Sequence, residues 1–371
     1  MSFKYNALAL ITASLLVTAC GSSSSSSDNG NTTEDGEQEI TSNYETVELD
    51  ATDGSTAVQL DLASGAIVTD DSWHLAYQKY LGFKLNGGSS GDAGVSGCIA
   101  HEYSSIFDST GASIEDEFKL LTVSSTEDSF VAVTADSCTD FVEDSVATFI
   151  ETEEWLDADY SAGAPVYGAK AGNGWIIRSA DGATYGRVSV NSVEVVFGAS
   201  TTRKLVFNSE LWNGSVFETA QLSPELDFSE DQVYWDLETN SLVSATDDWE
   251  LSVSVNGRDY PLQINGGASG TGQAGVGAVL SDDLASVTDP TDTAQVYKYF
   301  ADTASGVLSG PGTYGPLQYA VAGGHLMWPT FTTYLIKDAQ DRLFKVQVVS
   351  NYGANGNSAS GNLVLRYEEL N

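Results

Sequence analysis

Asn86-Gly87-Gly88-Ser89-Ser90-Gly91 and Asn265-Gly266-Gly267-Ala268-Ser269-Gly270 are one motif written twice. The copies continue in step, with Ala93-Gly94-Val95 after the first and Ala274-Gly275-Val276 after the second. Upstream, Thr69-Asp70-Asp71-Ser72-Trp73-His74-Leu75 pairs with Thr246-Asp247-Asp248-Trp249-Glu250-Leu251. Further back, Val58-Gln59-Leu60-Asp61-Leu62 answers Val233-Tyr234-Trp235-Asp236-Leu237, and Tyr44-Glu45-Thr46 answers Phe217-Glu218-Thr219. Downstream, Trp175-Ile176-Ile177-Arg178 matches Tyr334-Leu335-Ile336-Lys337. Blocks in one order at nearly constant offset mark an internal repeat. The chain therefore reads as a tandem duplication, with domains expected at 44–213 and 215–371.

Each copy has the grammar of strands. Leu251-Val253-Val255 and Leu343 to Val349 alternate with period two, as half-buried strands do. The 36 glycines against 7 prolines suit strands joined by Gly-rich turns. Trp73 and Trp249, each early in a strand after an acidic turn, are expected core anchors. Helix signals are thin: Asp289-Pro290 opens one candidate running through Val296 and Phe300, and Phe141 to Trp155 is a second. His74 is expected to face away from Trp73, toward solvent. The predicted class is all-β with minor helix, as two tandem antiparallel β domains.

Composition narrows the partners. The 371 residues include 52 acidic and 15 basic side chains, for a formal charge of −37. Such a surface repels phosphate backbones, which excludes nucleic acid as a partner. An apolar content of 42% is too high for a disordered chain. Beyond the N-terminus, no apolar run approaches the ~20 residues of a membrane-spanning helix.

Residues 1–19 read as a signal peptide, with Lys4 followed by an apolar stretch from Ala7 to Val17. It ends in Val17-Thr18-Ala19-Cys20, which resembles the bacterial lipobox, whose cysteine is lipidated and becomes the new N-terminus. Residues 20–43 then form the lipidated Cys20, six serines from Ser22 to Ser27 and a polar linker. The address is a membrane reached through a lipid on Cys20. Gly21 is not the aspartate associated with inner-membrane retention, so the outer membrane is expected. With Cys20 acylated in an oxidising compartment, Cys98 and Cys138 remain to pair as a disulfide.

The order of acidic turn, Asp-Trp or Ser-Trp strand, Asn-Gly-Gly-x-Ser-Gly loop and closing Trp/Tyr-x-Ile strand resembles the HmuY-like haem-binding lipoproteins, and does so in both copies. The resemblance implies a lipid-anchored, all-β surface protein that captures haem for iron uptake, with an outer-membrane haem transporter as a further partner. It also implies axial ligands, histidine or methionine, between the Gly-rich loop and the closing strands. Two insertions hold the candidates. From Val95 to Val133 is 38 residues where Val276 to Val287 is 11, and His101 lies in that excess, bracketed by Cys98 and Cys138. From Tyr314 to Tyr334 is 20 residues where Tyr167 to Trp175 is 8, and that excess holds His325-Leu326-Met327. His325, Met327 and His101 are thus the predicted haem-iron ligands, at most one haem per chain. His325 is preferred, with Gly323-Gly324 before it and Trp328 after it as an aromatic wall for the porphyrin.

No catalytic constellation emerges, and the chain is not expected to be an enzyme. Gly87-Gly88-Ser89-Ser90-Gly91 satisfies the hydrolase G-x-S-x-G pattern, but Ala268 replaces Ser89 in the second copy and the alternating strand–helix frame is missing. No lysine follows either loop, which excludes a P-loop. Acidic runs at Asp289 to Asp292 and Glu151 to Asp159 lack EF-hand spacing and read as solvated faces. The alternative to haem capture is a surface adhesion or carbohydrate/protein-binding β module.

Overall fold

The alternating apolar pattern is spent on two four-stranded sheets and two larger ones. The computed structural model describes residues 43–370 apart from 162 and 282. The leader, Cys20 and nearly all of the linker lie outside the described residues.

One antiparallel sheet runs in the order Glu45–Asp50, Asn362–Leu370, Leu343–Ser350, Thr333–Lys337, Ser96–His101. It shares a core with a smaller sheet in the order Ala66–Val68, Val58–Asp61, Leu75–Gln78, Gly82–Leu85. The second core repeats this plan. Its larger sheet runs Gln221–Leu222, Thr202–Leu211, Tyr185–Val196, Trp175–Arg178, Gly275–Val279, Val296–Phe300, and Leu226–Asp227 also pairs with Thr202–Leu211. Its smaller sheet runs Ser241–Val243, Val233–Asp236, Leu251–Val253, Leu262–Ile264. The five strands of the first larger sheet have counterparts in the same order in the second, which adds Val296–Phe300 and Leu226–Asp227.

The division of the chain is not the expected one. The first core joins Leu49 to Val95 with Leu308 to Tyr367, whereas the second is drawn entirely from Ile150 to Val276. A boundary at residue 214 therefore cuts both cores. The closing strands are exchanged between the two expected halves: Thr333–Lys337 pairs with Ser96–His101, and Trp175–Arg178 pairs with Gly275–Val279. The chain crosses from one core to the other at Ser145–Ala147 and returns at Thr303–Ser305, and these two crossing strands pair with each other.

The Asn-Gly-Gly loops hold the crossings in place. A buried aspartate precedes each crossing strand. Asp144 Oδ2 accepts the Leu85 N–H at 3.0 Å, and its carbonyl accepts the Ser89 N–H at 2.8 Å. Asp302 does the same with Ile264 at 2.9 Å and Ala268 at 2.9 Å. Burial raises the pKa of both carboxyls above the ordinary aspartate value. Gly88 and Gly267 have φ of 60° and 64°, and a Cβ on either would collide with the carbonyl of Asp144 or Asp302. Glycine is required there for both reasons.

Trp73 and Trp249 are buried, as anchors should be. Helix falls elsewhere than expected. Asp289 and Asp292 take the N–H groups of Thr291 and Ala294 in tight turns, and Val296–Phe300 is a strand. Of Phe141 to Trp155, only Thr152–Trp155 is helical. The main helices are in the first insertion, Glu115–Leu120 and Glu127–Ala132, each burying one phenylalanine, Phe118 or Phe130. Cys98 and Cys138 form a disulfide with Cα atoms 6.3 Å apart, within the range the bond needs, closing the base of this insertion. Arg366, 1% exposed, donates to the carbonyls of Val123 and Thr126 at 3.2 and 2.9 Å and so clamps the insertion to the last strand.

Candidate functional site

The second insertion folds as a hairpin. Leu317–Tyr319 pairs with Met327–Pro329, placing Tyr319 opposite Met327. The connecting loop turns through Ala320, Gly323 and Gly324, all with positive φ, and carries His325. The Met327 N–H donates to the Tyr352 hydroxyl at 2.9 Å, which ties the hairpin to the loop between the two longest strands of the sheet.

His325 and Met327 come together. Both line a cavity of about 320 Å³ with Tyr77, Tyr80, Tyr314 and Tyr319. Tyr77 and Tyr80 come from the first copy and the rest from the second, so the exchange of strands builds the cavity. The Tyr319 hydroxyl pairs with His325 Nδ1, and Nε2 of the exposed imidazole has no hydrogen-bond partner among the described residues. Burial, first of all, pushes the Tyr77 hydroxyl up to about 12, so it stays protonated and donates to Asn351 at 3.3 Å. The tyrosines give walls with an apolar body and a polar tip.

Two expected participants are elsewhere. His101 ends an edge strand opposite Thr333, packs edge-on against Tyr103 at 4.8 Å, and does not line this cavity. Its Nε2 is enclosed with no hydrogen-bond partner among the described residues. Trp328 points away from Met327, as strand alternation requires, and meets Phe118 edge-on at 6.4 Å. The expected aromatic wall is therefore made of tyrosines.

His74 is not solvated. It is 5% exposed, and its Nδ1 accepts the Leu62 N–H at 3.2 Å while Nε2 faces Asp338 at 3.5 Å. The strand from Trp73 to Tyr77 is covered on both faces, so alternation gives no solvent side. Glu250 occupies the matching place. Its Oε2 accepts the Leu237 N–H at 2.6 Å and Oε1 the Ala180 N–H at 2.9 Å. Burial raises the Glu250 carboxyl to about 8, and the negative charges of Glu238 and Asp236 act in the same direction. Imidazole and carboxyl thus serve the same backbone group in the two cores. Asp236, Glu238 and Glu250 form a close acidic group that the acidic runs in the sequence did not indicate.

The fold is all-β, built of mostly antiparallel sheets. Residues 229–367 match the model of the HmuY protein family, so this region of the chain is HmuY-like. The match runs without a break through the return crossing at Thr303–Ser305 and therefore spans parts of both cores. A candidate lipoprotein of Bacteroides fragilis is similar at 14% identity, over 47% of this chain and 91% of that one, with a TM-score of 0.15. No curated protein sequence matches. No helix among the described residues is long and apolar enough to cross a membrane.

Proposed function

We propose that the protein is an envelope lipoprotein that binds haem in the first-core cavity, with His325 as the iron ligand. The observation that carries this reading is that His325 and Met327, both inside the stretch that matches the HmuY family, line one tyrosine-walled cavity. The donors in the cavity, an imidazole and a thioether, are of the kinds that would hold haem iron. For Nε2 to offer its lone pair, Nδ1 carries the proton and donates to the Tyr319 oxygen, which fixes the ring as a second-shell partner does. Met327 lies two residues away and lines the same cavity. It would be the alternative ligand for reduced iron, which favours a soft thioether. When bound, the haem would supply iron as cargo, and the chain's residues orient and shield it. No catalytic role is proposed.

Lipidation at Cys20, an outer-membrane location and delivery to a haem transporter complete this reading. Haemin titration in both redox states, at low and high salt, tests the binding. A shifted Soret band that is lost in His325→Ala but kept in His101→Ala supports the assignment. No shifted band under any condition refutes haem binding, and binding that survives His325→Ala and Met327→Ala refutes the site. A fatty-acid probe should label the wild type and not Cys20→Ser; equal labelling refutes the anchor.

A further inference from the structure

The second core has its own cavity in the corresponding place. In the first core the cavity forms between the tip joining Leu75–Gln78 to Gly82–Leu85, the hairpin Leu317–Tyr319/Met327–Pro329, and the loop holding Ser360. The second core offers the tip joining Leu251–Val253 to Leu262–Ile264, the hairpin Leu156–Asp159/Val166–Ala169, and the loop holding Phe197. They enclose about 530 Å³. None of the residues lining it is histidine, methionine or cysteine, so the chemistry differs from that of the first cavity.

Three features define what it would take. Aromatic rings are left bare: Tyr160 is 66% exposed and Phe197 is 55% exposed at its edge. Arg203 is held by Tyr260 Oη at 3.2 Å and the Ser229 carbonyl at 3.3 Å, with its guanidinium 5.9 Å from the Phe197 ring, and its Nη2 has no partner among the described residues. Arg258 is exposed and forms no ion pair or hydrogen bond among the described residues. Two carboxylates, Glu153 and Asp259, line the same space. An anionic ligand would meet those carboxylates, and a purely apolar one would strand the arginines. A ligand with many hydroxyls satisfies both, since each hydroxyl donates to a carboxylate and accepts from a guanidinium. A sugar ring also has an apolar C–H face to set against an exposed aromatic ring.

We propose that the second core binds a neutral oligosaccharide between Phe197, Tyr160 and the two arginines. This site is independent of the haem reading. The full chain would be titrated calorimetrically with maltohexaose, cellohexaose, laminarihexaose, mannohexaose and chitohexaose. The expected result is one bound hexaose per chain for at least one of them. Phe197→Ala and Arg258→Gln, both on exposed side chains that the fold does not need, should each weaken binding about tenfold or more. His325→Ala should leave it unchanged. No heat of binding with any of the five, or binding insensitive to Phe197→Ala and Arg258→Gln, overturns the proposal. So does a second haem equivalent that disappears in Phe197→Ala, because the cavity would then be a porphyrin site.

Discussion

Cutting the chain at Gly214 and cutting it at the crossings should give opposite results. Gly214 lies at an exposed turn with φ of 92°, where cleavage opens the turn that Asn213 holds but severs no strand. The first core, however, takes 9 of its 19 buried members from Leu49 to Val95 and 10 from Leu308 to Tyr367. Full burial of a large apolar side chain is worth about 1.5–3 kcal/mol. Separating the halves therefore forfeits about 15–30 kcal/mol in this core alone, against a net stability of about 5–15 kcal/mol. Fragments 44–213 and 215–371 made separately should lack cooperative urea unfolding and the near-ultraviolet circular dichroism of packed tryptophans. Mixed and refolded, they should recover both and elute as one species. Fragment 148–302 holds all 21 buried members of the second core and should unfold cooperatively by itself. If 215–371 alone is a cooperatively folded monomer while 148–302 is not, the exchange of strands is wrong.

Three further tests concern single residues. Gly267→Ala should cost about 2–4 kcal/mol by urea denaturation, because the new methyl meets the Asp302 carbonyl and φ is positive, whereas Gly323→Ala, in open space, should cost about 1–2 kcal/mol; equal costs would refute the close approach. Arg366→Met should cost about 2–4 kcal/mol by leaving the carbonyls of Val123 and Thr126 without donors, and a neutral result would remove the clamp. With its folded pKa raised to about 8 from the ordinary 4.5, Glu250 holds an extra proton in the native state. Its contribution is then complete below the unfolded value and is lost as pH rises through about 8, a decline of order 3–5 kcal/mol that Glu250→Gln should flatten between pH 5 and 9. A wild type no less stable at pH 9 than at pH 5 would show that the carboxyl is charged throughout.

The repeats were legible because the residues that make them have no substitutes. Asn-Gly-Gly turns need positive φ and close approach, and Trp73 and Trp249 fill large spaces. The exchange was not legible, since both closures use the same alternation. Thr333–Lys337 would present the same apolar face to Gly275–Val279 as it does to Ser96–His101, and nothing in the pattern selects one. The hydrogen bonds that fix the crossings are made by Asp144 to Leu85 and Ser89 and by Asp302 to Ile264, Ala268 and Phe149, and such partners are invisible in a hydrophobic pattern. His74 misled for a related reason: a strand covered on both faces loses the period-two signal, and a buried polar group is visible only with its partners. The insertion with His325 and Met327 was legible by counting, yet the tyrosines around it were not, because Tyr77 and Tyr80 lie far in sequence from Tyr314 and Tyr319.

The exchange bears directly on function. Each cavity takes one wall from each copy: Tyr77 and Tyr80 face His325 and Met327 in the first core, and Tyr160 and Phe197 face Arg258 and Tyr260 in the second. A single copy therefore contains half of each site and the whole of neither. Substitutions in either half can therefore alter both cavities, because each half contributes a wall to each. The hairpin with His325 and Met327 belongs to the second copy's closing half, and its counterpart in the first copy, Leu156–Asp159/Val166–Ala169, carries neither residue type. One insertion is thus enough to give one core the imidazole and thioether on which the proposed haem site rests and leave the other without them, so two cavities of common geometry present different chemistry.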